Sequence, residues 1–314
     1  MCIFSQPVQS VSNTQIFARF ASDDWQYLVY QMQYATTQAN AMILPLPVRT
    51  PADERRSLEF ITLDEHPEFF SELAAGFPLA LPDFEDFGRG LPAPAANALA
   101  GPLEVQEVGD FVASFVPSLA DFNRLDEQFR ISQDSWDQIP RYADYGFAVF
   151  QLKSLKGKPH PMAFRFRSRL ATHDQRSLFF PTVHIHDGQV HAREEFDHSL
   201  YMQADEFDAA CGEYLERPRL VRDSATGYVR SKWVAGEFCN VEASRGILKG
   251  DALIHRRDMR GRLANDDVLV DLDLAQVEEQ SRSLPGTPLP VLSSMAALVG
   301  LTWLFERRSR LAGK

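Results

Sequence analysis

Short runs of β-branched and aromatic residues, separated by polar turn-prone stretches, recur along most of this chain, and they constrain its fold more than any other feature. The predicted strands are 3–8, 14–20, 25–34, 41–48, 103–108, 111–116, 145–152, 162–168, 178–186, 189–196 and 268–274. Helical spacing of apolar residues occurs at 66–77, 119–129, 132–141 and 206–215. Strands and helices come in clusters and do not alternate strictly. The pattern therefore predicts an α+β fold of mainly antiparallel β-sheets with a few short helices and a C-terminal apolar helix.

The domain organisation follows from length and from the C-terminal end. A chain of 314 residues is typical of about two domains, so we expect a β-rich half at 1–130 and a second at 131–285. Residues 286–314 are expected to form an apolar helix with a basic tail. A stretch of about 20 apolar residues can span a bilayer, so membrane association through 286–314 is the alternative. A basic tail prefers the cytoplasmic side and no export signal precedes it, which favours a buried helix and a cytoplasmic location.

The charge balance and the cysteine count limit the function classes. The chain has 43 acidic and 32 basic residues, a formal net charge of -11. A nucleic-acid-binding surface needs a basic surplus, so we expect no nucleic-acid partner. The three cysteines, Cys2, Cys211 and Cys239, are too few and odd in number for a disulfide framework. This cysteine usage indicates a reducing compartment.

A histidine-rich stretch, FPTVHIHDGQVHAR at 180–193, is the most informative local pattern. Asp-Gly between two alternating runs predicts a two-residue hairpin turn, since both turn positions take positive φ. In that register His184 faces His191, and His186 lies on the same face of the hairpin. His198 has the opposite parity if the strand continues unbroken, so it is not included in this set.

Three imidazoles on one hairpin face can converge on one divalent metal ion, with bonds of ~2.0–2.1 Å. Nitrogen ligands with an open coordination position suit zinc or another first-row transition metal. His184, His186 and His191 are therefore the predicted metal- or anion-binding residues. The alternative is the solvated face of an amphipathic hairpin, on which histidine is an ordinary residue that gains charge as pH falls.

Cys2 is the second candidate functional residue. Its small side chain favours removal of Met1, which would leave a cysteine with a free α-amine. An α-amine with a pKa of ~7.7–8.0 can serve as the general base for the thiol, as in N-terminal nucleophile hydrolases. Arg19 on the next predicted strand is then a candidate for binding a substrate carboxylate. The alternative is that Cys2 merely begins a buried strand.

The N-terminal residues resemble the opening of a bacterial protein family of unknown function. The similarity rests on Cys2, TQIFA at 14–18, LVYQMQY at 28–34 and ILPLP at 43–47, and it continues through 142–150 and 180–182. Members show a cysteine near the mature N-terminus, a strand ending in Leu-Pro-x-Pro and a C-terminal apolar segment. This chain lacks the export signal usual in that family. The resemblance implies a β-rich bacterial domain, and it implies no activity and no site residues.

Together these patterns predict a soluble bacterial binding module, with His184, His186 and His191 as the ligand-contacting patch. The expected cofactor is a divalent transition metal such as zinc. One alternative is an amidohydrolase that uses Cys2 as its nucleophile. The other is a structural or partner-binding protein without a small-molecule site.

Overall fold

A computed structural model describes residues 3–21, 24–78, 105–172, 176–214 and 226–273. Within these residues the strands are β1 (Ile3–Phe4), β2 (Ser10–Phe20), β3 (Trp25–Ala35), β4 (Ala41–Leu46), β5 (Leu58–Ile61), β6 (Val105–Val108), β7 (Phe111–Val116), β8 (Gly146–Leu152), β9 (Lys156–Gly157), β10 (Met162–Arg167), β11 (Ser177–Phe180), β12 (Arg193–Met202), β13 (Gly212–Glu213), β14 (Val229–Arg230), β15 (His255–Ala264) and β16 (Val268–Asp271). The α-helices are α1 (Phe69–Ala75) and α2 (Gln133–Asp137). Short 3₁₀ helices occupy Leu119–Arg124, Glu127–Phe129, Pro140–Tyr142, Asp205–Phe207 and Ala235–Glu237. The predicted β-rich fold with a few short helices is confirmed, and the C-terminal helix expected at 286–314 lies outside the described residues.

Two large sheets contain most of the strands. The five-stranded sheet has the order β1-β4-β8-β7-β6 and is antiparallel throughout. The nine-stranded sheet has the order β13-β14-β15-β12-β2-β3-β10-β5, with β9 also pairing with β3. Its ladders are antiparallel except for β12 with β2 and β13 with β14, which are parallel. Strands β11 and β16 form a separate two-stranded sheet.

The sheets do not divide the chain at residue 130. Strand β8 lies between β4 and β7, and β12 lies beside β2, so the ranges 1–130 and 131–285 supply neighbouring strands to both large sheets. Residue contacts group Met1–Val277 into one unit. Because hydrogen-bonded ladders join strands from before and after residue 130, these two ranges are not separate packing units.

The main hydrophobic cluster joins one face of each large sheet. Phe150 on β8 and Phe164 on β10 belong to it, with ring centroids 5.9 Å apart. The other face of the nine-stranded sheet is covered by α1, whose Phe69 packs edge-to-face on Phe17 of β2. On the other face of the five-stranded sheet, a third cluster contains Ile185 and residues of the 3₁₀ segments. Several central strands are therefore buried on both faces, which explains apolar runs without alternation.

The helices are shorter than the apolar spacing predicts. The segment predicted to be helical at 119–129 forms two 3₁₀ turns, and the one at 206–215 forms one 3₁₀ turn before β13. No helix among the described residues is long and apolar enough to cross a membrane. The segment 286–314, for which membrane contact was the alternative, lies outside these residues.

Candidate functional site

The histidine segment bends at its Asp-Gly pair but does not form the predicted hairpin. Gly188 has a φ of +82°, as a tight reversal requires. Residues 181–192 nevertheless contain no strand, and Ile185 forms a parallel bridge with Ile3. The N–H of Phe4 donates to the carbonyl of Ile185 at 3.1 Å. The segment is therefore paired with the N-terminal strand, and its two arms are not paired with each other.

The connection between β15 and β16 explains why the hairpin ladder is absent. Asn265 Oδ1 accepts a hydrogen bond from the N–H of His184 at 2.7 Å. Its Nδ2 donates to the carbonyls of His184 and His191, both at 2.9 Å. Asp267 Oδ1 accepts from the N–H groups of residues 182–183, at 2.9 and 3.2 Å. These side chains bind backbone groups that a hairpin ladder would need.

This path buries His184 against His198 and not against His191. His184 is 1% exposed and His198 is 0% exposed. Their Nε2 atoms are 3.3 Å apart, and their rings are nearly parallel at 14° with centroids 5.1 Å apart. The ring of His186 stacks on that of His184, also with centroids 5.1 Å apart. We refer to His184, His186 and His198 as the histidine cluster.

The third predicted ligand, His191, lies apart from this cluster. Its side chain is 49% exposed, and its Nε2 is 3.0 Å from Asp187 Oδ2. That hydrogen bond raises the pKa of His191 above its usual value. Among the described residues no ring contact joins His191 to the cluster. Its surroundings match the solvated face that was the alternative interpretation of the segment.

His198 was excluded from the prediction because the strand was assumed to keep the parity of His191. Strand β12 begins only at Arg193, after the bend, and its own alternation decides the faces. Phe196, His198, Leu200 and Met202 are all buried. The apolar alternation at 196–202 is visible in the sequence, and it would have placed His198 on a core face.

Burial sets the protonation state of the cluster. Phe196 packs against the rings of His184 and His198 with centroids 4.2 and 4.9 Å away. Burial lowers the pKa of His186 to about 4 and that of His198 to about 3, and it also lowers the pKa of His184. The three imidazoles are therefore neutral at neutral pH. A neutral imidazole has a lone pair for a metal ion and no charge to attract an anion.

The hydrogen bonds indicate where the protons reside. The backbone N–H of Asp197 lies 3.3 Å from His198 Nδ1, which acts as the acceptor. The proton of neutral His198 is then on Nε2, and His184 Nε2 accepts it. The proton of His184 is consequently on Nδ1, a buried atom with no hydrogen-bond partner among the described residues.

The distance between the two facing nitrogens fits shared coordination of a metal ion. With bonds of ~2.0–2.1 Å and a tetrahedral angle, two ligating nitrogens lie about 3.3–3.4 Å apart. The observed Nε2 separation is 3.3 Å. Asp197 Oδ1 is 3.5 Å from His198 Nδ1, and it can accept the ring proton once that proton moves to Nδ1 and Nε2 becomes a ligand. The described residues contain no group of three or more His, Cys, Asp or Glu side chains placed to hold a metal, so they supply two ligands.

The structure describes Arg19, the predicted carboxylate-binding residue, but not Cys2, the predicted nucleophile. Cys2 lies outside the described residues, and its prediction as a nucleophile stays a prediction. Arg19 is 7% exposed, and its guanidinium donates to the carbonyls of Phe20, Gly246 and Ile247. It is largely buried, and it lines a pocket where β2 and β12 end.

Comparisons with known proteins add little to this picture. No protein-family model matches the chain, so the resemblance to a bacterial family stays a prediction. The chain is similar to the crystal structure of baculovirus P35 at 14% sequence identity, over 86% of this chain and 99% of that one, with a TM-score of 0.46. We base no argument on a likeness of this degree.

Proposed function

We propose that this protein is a binding module whose histidine cluster holds a divalent first-row transition metal ion such as zinc. The observation that carries the proposal is the 3.3 Å separation of His184 Nε2 and His198 Nε2 in apolar surroundings. Compared with the set predicted from sequence, His198 replaces His191 as a ligand. His184 stays a ligand, and His186 lies next to the pair with its ring stacked on that of His184.

The electrostatics of the cluster favour a metal ion over an anion. An anion would need at least one imidazolium, and burial lowers the pKa of His186 and His198 to about 4 and 3. A divalent metal needs the neutral ring, which is the form that burial stabilises. Metal binding would replace the hydrogen bond between the two nitrogens and move the ring proton of His198 to Nδ1, so metal affinity should fall only as pH approaches the lowered pKa values.

Two imidazoles leave coordination positions open. Water can fill them, and His186 is the adjacent imidazole, with its ring stacked on that of His184. Cys2 is a further candidate because the next residue, Ile3, bridges to Ile185. Thiolate and imidazole ligands together are typical of zinc.

The experiment measures metal content by mass spectrometry on untagged protein purified without chelator. We expect about one metal ion per chain in the wild type, and its loss in His184→Gln and in His198→Gln. The matched control is His191→Gln, which should keep the metal because His191 lies outside the cluster.

Circular dichroism and thermal denaturation establish that each variant is folded before its metal content is compared. The wild type is also loaded with cobalt(II), whose visible spectrum reports nitrogen ligation in a tetrahedral site. A wild type that stays metal-free after loading contradicts the proposal, as does full occupancy in folded His198→Gln.

The bridge between Ile3 and Ile185 also favours an alternative, the N-terminal nucleophile amidohydrolase. It brings the residue after Cys2 beside the segment that carries His184 and His186. Cys211 and Cys239 are buried, and burial raises the pKa of Cys239 to about 12, so both should react slowly with a thiol reagent. This alternative requires a fast-reacting thiol in the wild type that is absent from Cys2→Ser. If all thiols of the wild type react slowly, the alternative is wrong.

A further inference from the structure

A second site lies where β2 and β12 end, separate from the histidine cluster. A pocket of about 140 Å³ is lined there by Arg19, Arg176, Gln203, Asp205, Glu206 and Lys249. His198 and Gln203 are five residues apart along β12 and its end, which corresponds to about 17 Å of extended chain. The pocket therefore does not share the metal ligands.

Arg19 is the unusual member of this pocket because it is a buried charge without an ion pair at contact distance. It is 7% exposed, and its guanidinium donates to the carbonyls of Phe20 at 2.9 Å, Gly246 at 2.6 Å and Ile247. Among the described residues no carboxylate forms an ion pair with it, and Asp205, which also lines the pocket, acts on it only from a longer distance. Buried arginines are almost always paired with an anion. A guanidinium also stays protonated at neutral pH, so this positive charge persists.

The remaining charges of the pocket compensate one another. Lys249 Nζ lies 3.9 Å from Asp205 Oδ2, and Arg176 pairs with Glu206 at 3.2 Å. Three cations and two carboxylates leave one positive charge, and the unpaired group is the buried one. The two acidic side chains of the lining, Asp205 and Glu206, disfavour a ligand with several negative charges.

The pocket is also held rigidly. The carbonyls of Gly246 and Ile247 fix the plane of the Arg19 guanidinium, which additionally lies over the ring of Tyr27 at 4.8 Å. The side-chain amide of Gln203 binds the backbone of Lys249 at both its N–H and its carbonyl, at 2.9 and 2.7 Å. Three of the five N–H groups of the guanidinium are used by carbonyls, which leaves two for a ligand.

We propose that this pocket binds a small oxyanion, the carboxylate or phosphate group of a compact ligand, with Arg19 as its counter-charge. Two N–H groups of one guanidinium match two oxygens of either group. A pocket of about 140 Å³ suits a small ligand such as acetate, phosphate or a short hydroxy acid. The site completes the ion pair that the folded chain lacks.

The test measures thermal stability and calorimetric binding of the full chain with sodium acetate and, separately, with sodium phosphate. Sodium chloride keeps the ionic strength constant. We expect a saturable rise in the melting temperature, with a Kd in the millimolar range. Binding of acetate alone identifies a carboxylate ligand, binding of phosphate alone a phosphorylated one, and binding of both the shared oxyanion chemistry. If neither acetate nor phosphate binds saturably, the proposal is overturned.

Variants separate this pocket from non-specific anion effects. Arg19→Lys keeps the charge but loses the fork of donors, so binding should weaken roughly tenfold, and Arg19→Gln should abolish it. The control Arg165→Gln removes an exposed arginine that pairs with Glu59, and it should bind like the wild type. If the Arg19 variants do not fold, Arg176→Gln and Lys249→Gln at the rim should each weaken binding several-fold. Unchanged affinity in the folded variants contradicts the assignment.

Discussion

Asn265 is the residue on which the position of the histidine cluster depends most directly. It is 4% exposed, and its side chain makes three hydrogen bonds to the backbone of the segment, two to His184 and one to His191. Asn265→Ala leaves the buried N–H of His184 without an acceptor, which costs about 1–3 kcal/mol. It also deprives two carbonyls of their donor, for about 1 kcal/mol more in total. We therefore expect the free energy of unfolding to fall by about 2–4 kcal/mol.

Urea denaturation and amide hydrogen exchange together test this reasoning. Exchange of the His184 N–H should accelerate strongly in Asn265→Ala, while Asn265→Asp, which keeps the acceptor oxygen, should retain that protection and lose the bonds to the carbonyls. The control is Gln189→Ala, an exposed position in the same segment, with a change within about 0.5 kcal/mol. An Asn265→Ala protein with wild-type stability and wild-type exchange at His184 would refute the reasoning.

Two further predictions concern acid stability and one glycine. The pKa values of His186 and His198 are lowered to about 4 and 3, whereas in the unfolded chain both histidines bind protons below pH ~6.5. The free energy of unfolding should therefore fall between pH 6 and 4, by up to about 1.4 kcal/mol per pH unit for each histidine. Urea denaturation at several pH values should show that this free energy falls less steeply with pH in His198→Gln than in the wild type. An equally steep fall in both proteins contradicts the prediction. Gly109 has a φ of +50°, and a Cβ there would overlap His160 Nε2, so Gly109→Ala should cost at least about 2 kcal/mol in the same assay. Gly212→Ala, where a Cβ meets no atom within 4 Å, should be nearly neutral, and equal losses in the two variants would contradict the clash.

The strands were predictable where β-branched and aromatic residues are dense, and the helices less so. The prediction for 111–116 matches β7, and that for 25–34 falls one residue short of β3. The segment 119–129 was misread because its apolar residues Leu119, Phe122 and Leu125 recur every three positions. A spacing of three suits a 3₁₀ helix, with 3.0 residues per turn, at least as well as an α-helix. That spacing alone does not distinguish the two.

The site was only partly predictable because its decisive contacts are side chain to backbone. The alternation around Asp187 and Gly188 favoured a local ladder, but Asn265 and Asp267, some eighty residues further along the chain, bind the backbone that this ladder needs. The spacing of apolar residues within one segment cannot predict contacts with side chains so distant in the sequence. His198 could have been found by testing the parity of the following strand on its own, because Phe196 and Leu200 mark that face as buried.

Similar burial has opposite consequences in the two proposed sites, because the side chains differ in their ordinary pKa. An imidazole titrates near 6.5, so burial of His184 and His198 removes their charge at neutral pH and leaves lone pairs that suit a metal cation. Burial also lowers the pKa of Arg19, but a guanidinium begins near 12.5 and keeps its charge, which suits an oxyanion. Protons would compete with a metal for the first site only in acid, because the pKa values of His186 and His198 are lowered to about 4 and 3, and the charge of Arg19 does not change near neutrality. Folded His198→Gln should therefore lose the metal and keep its acetate affinity, whereas Arg19→Gln should lose acetate and keep the metal, and loss of both ligands in either variant would mean that the two ligands do not occupy these separate sites.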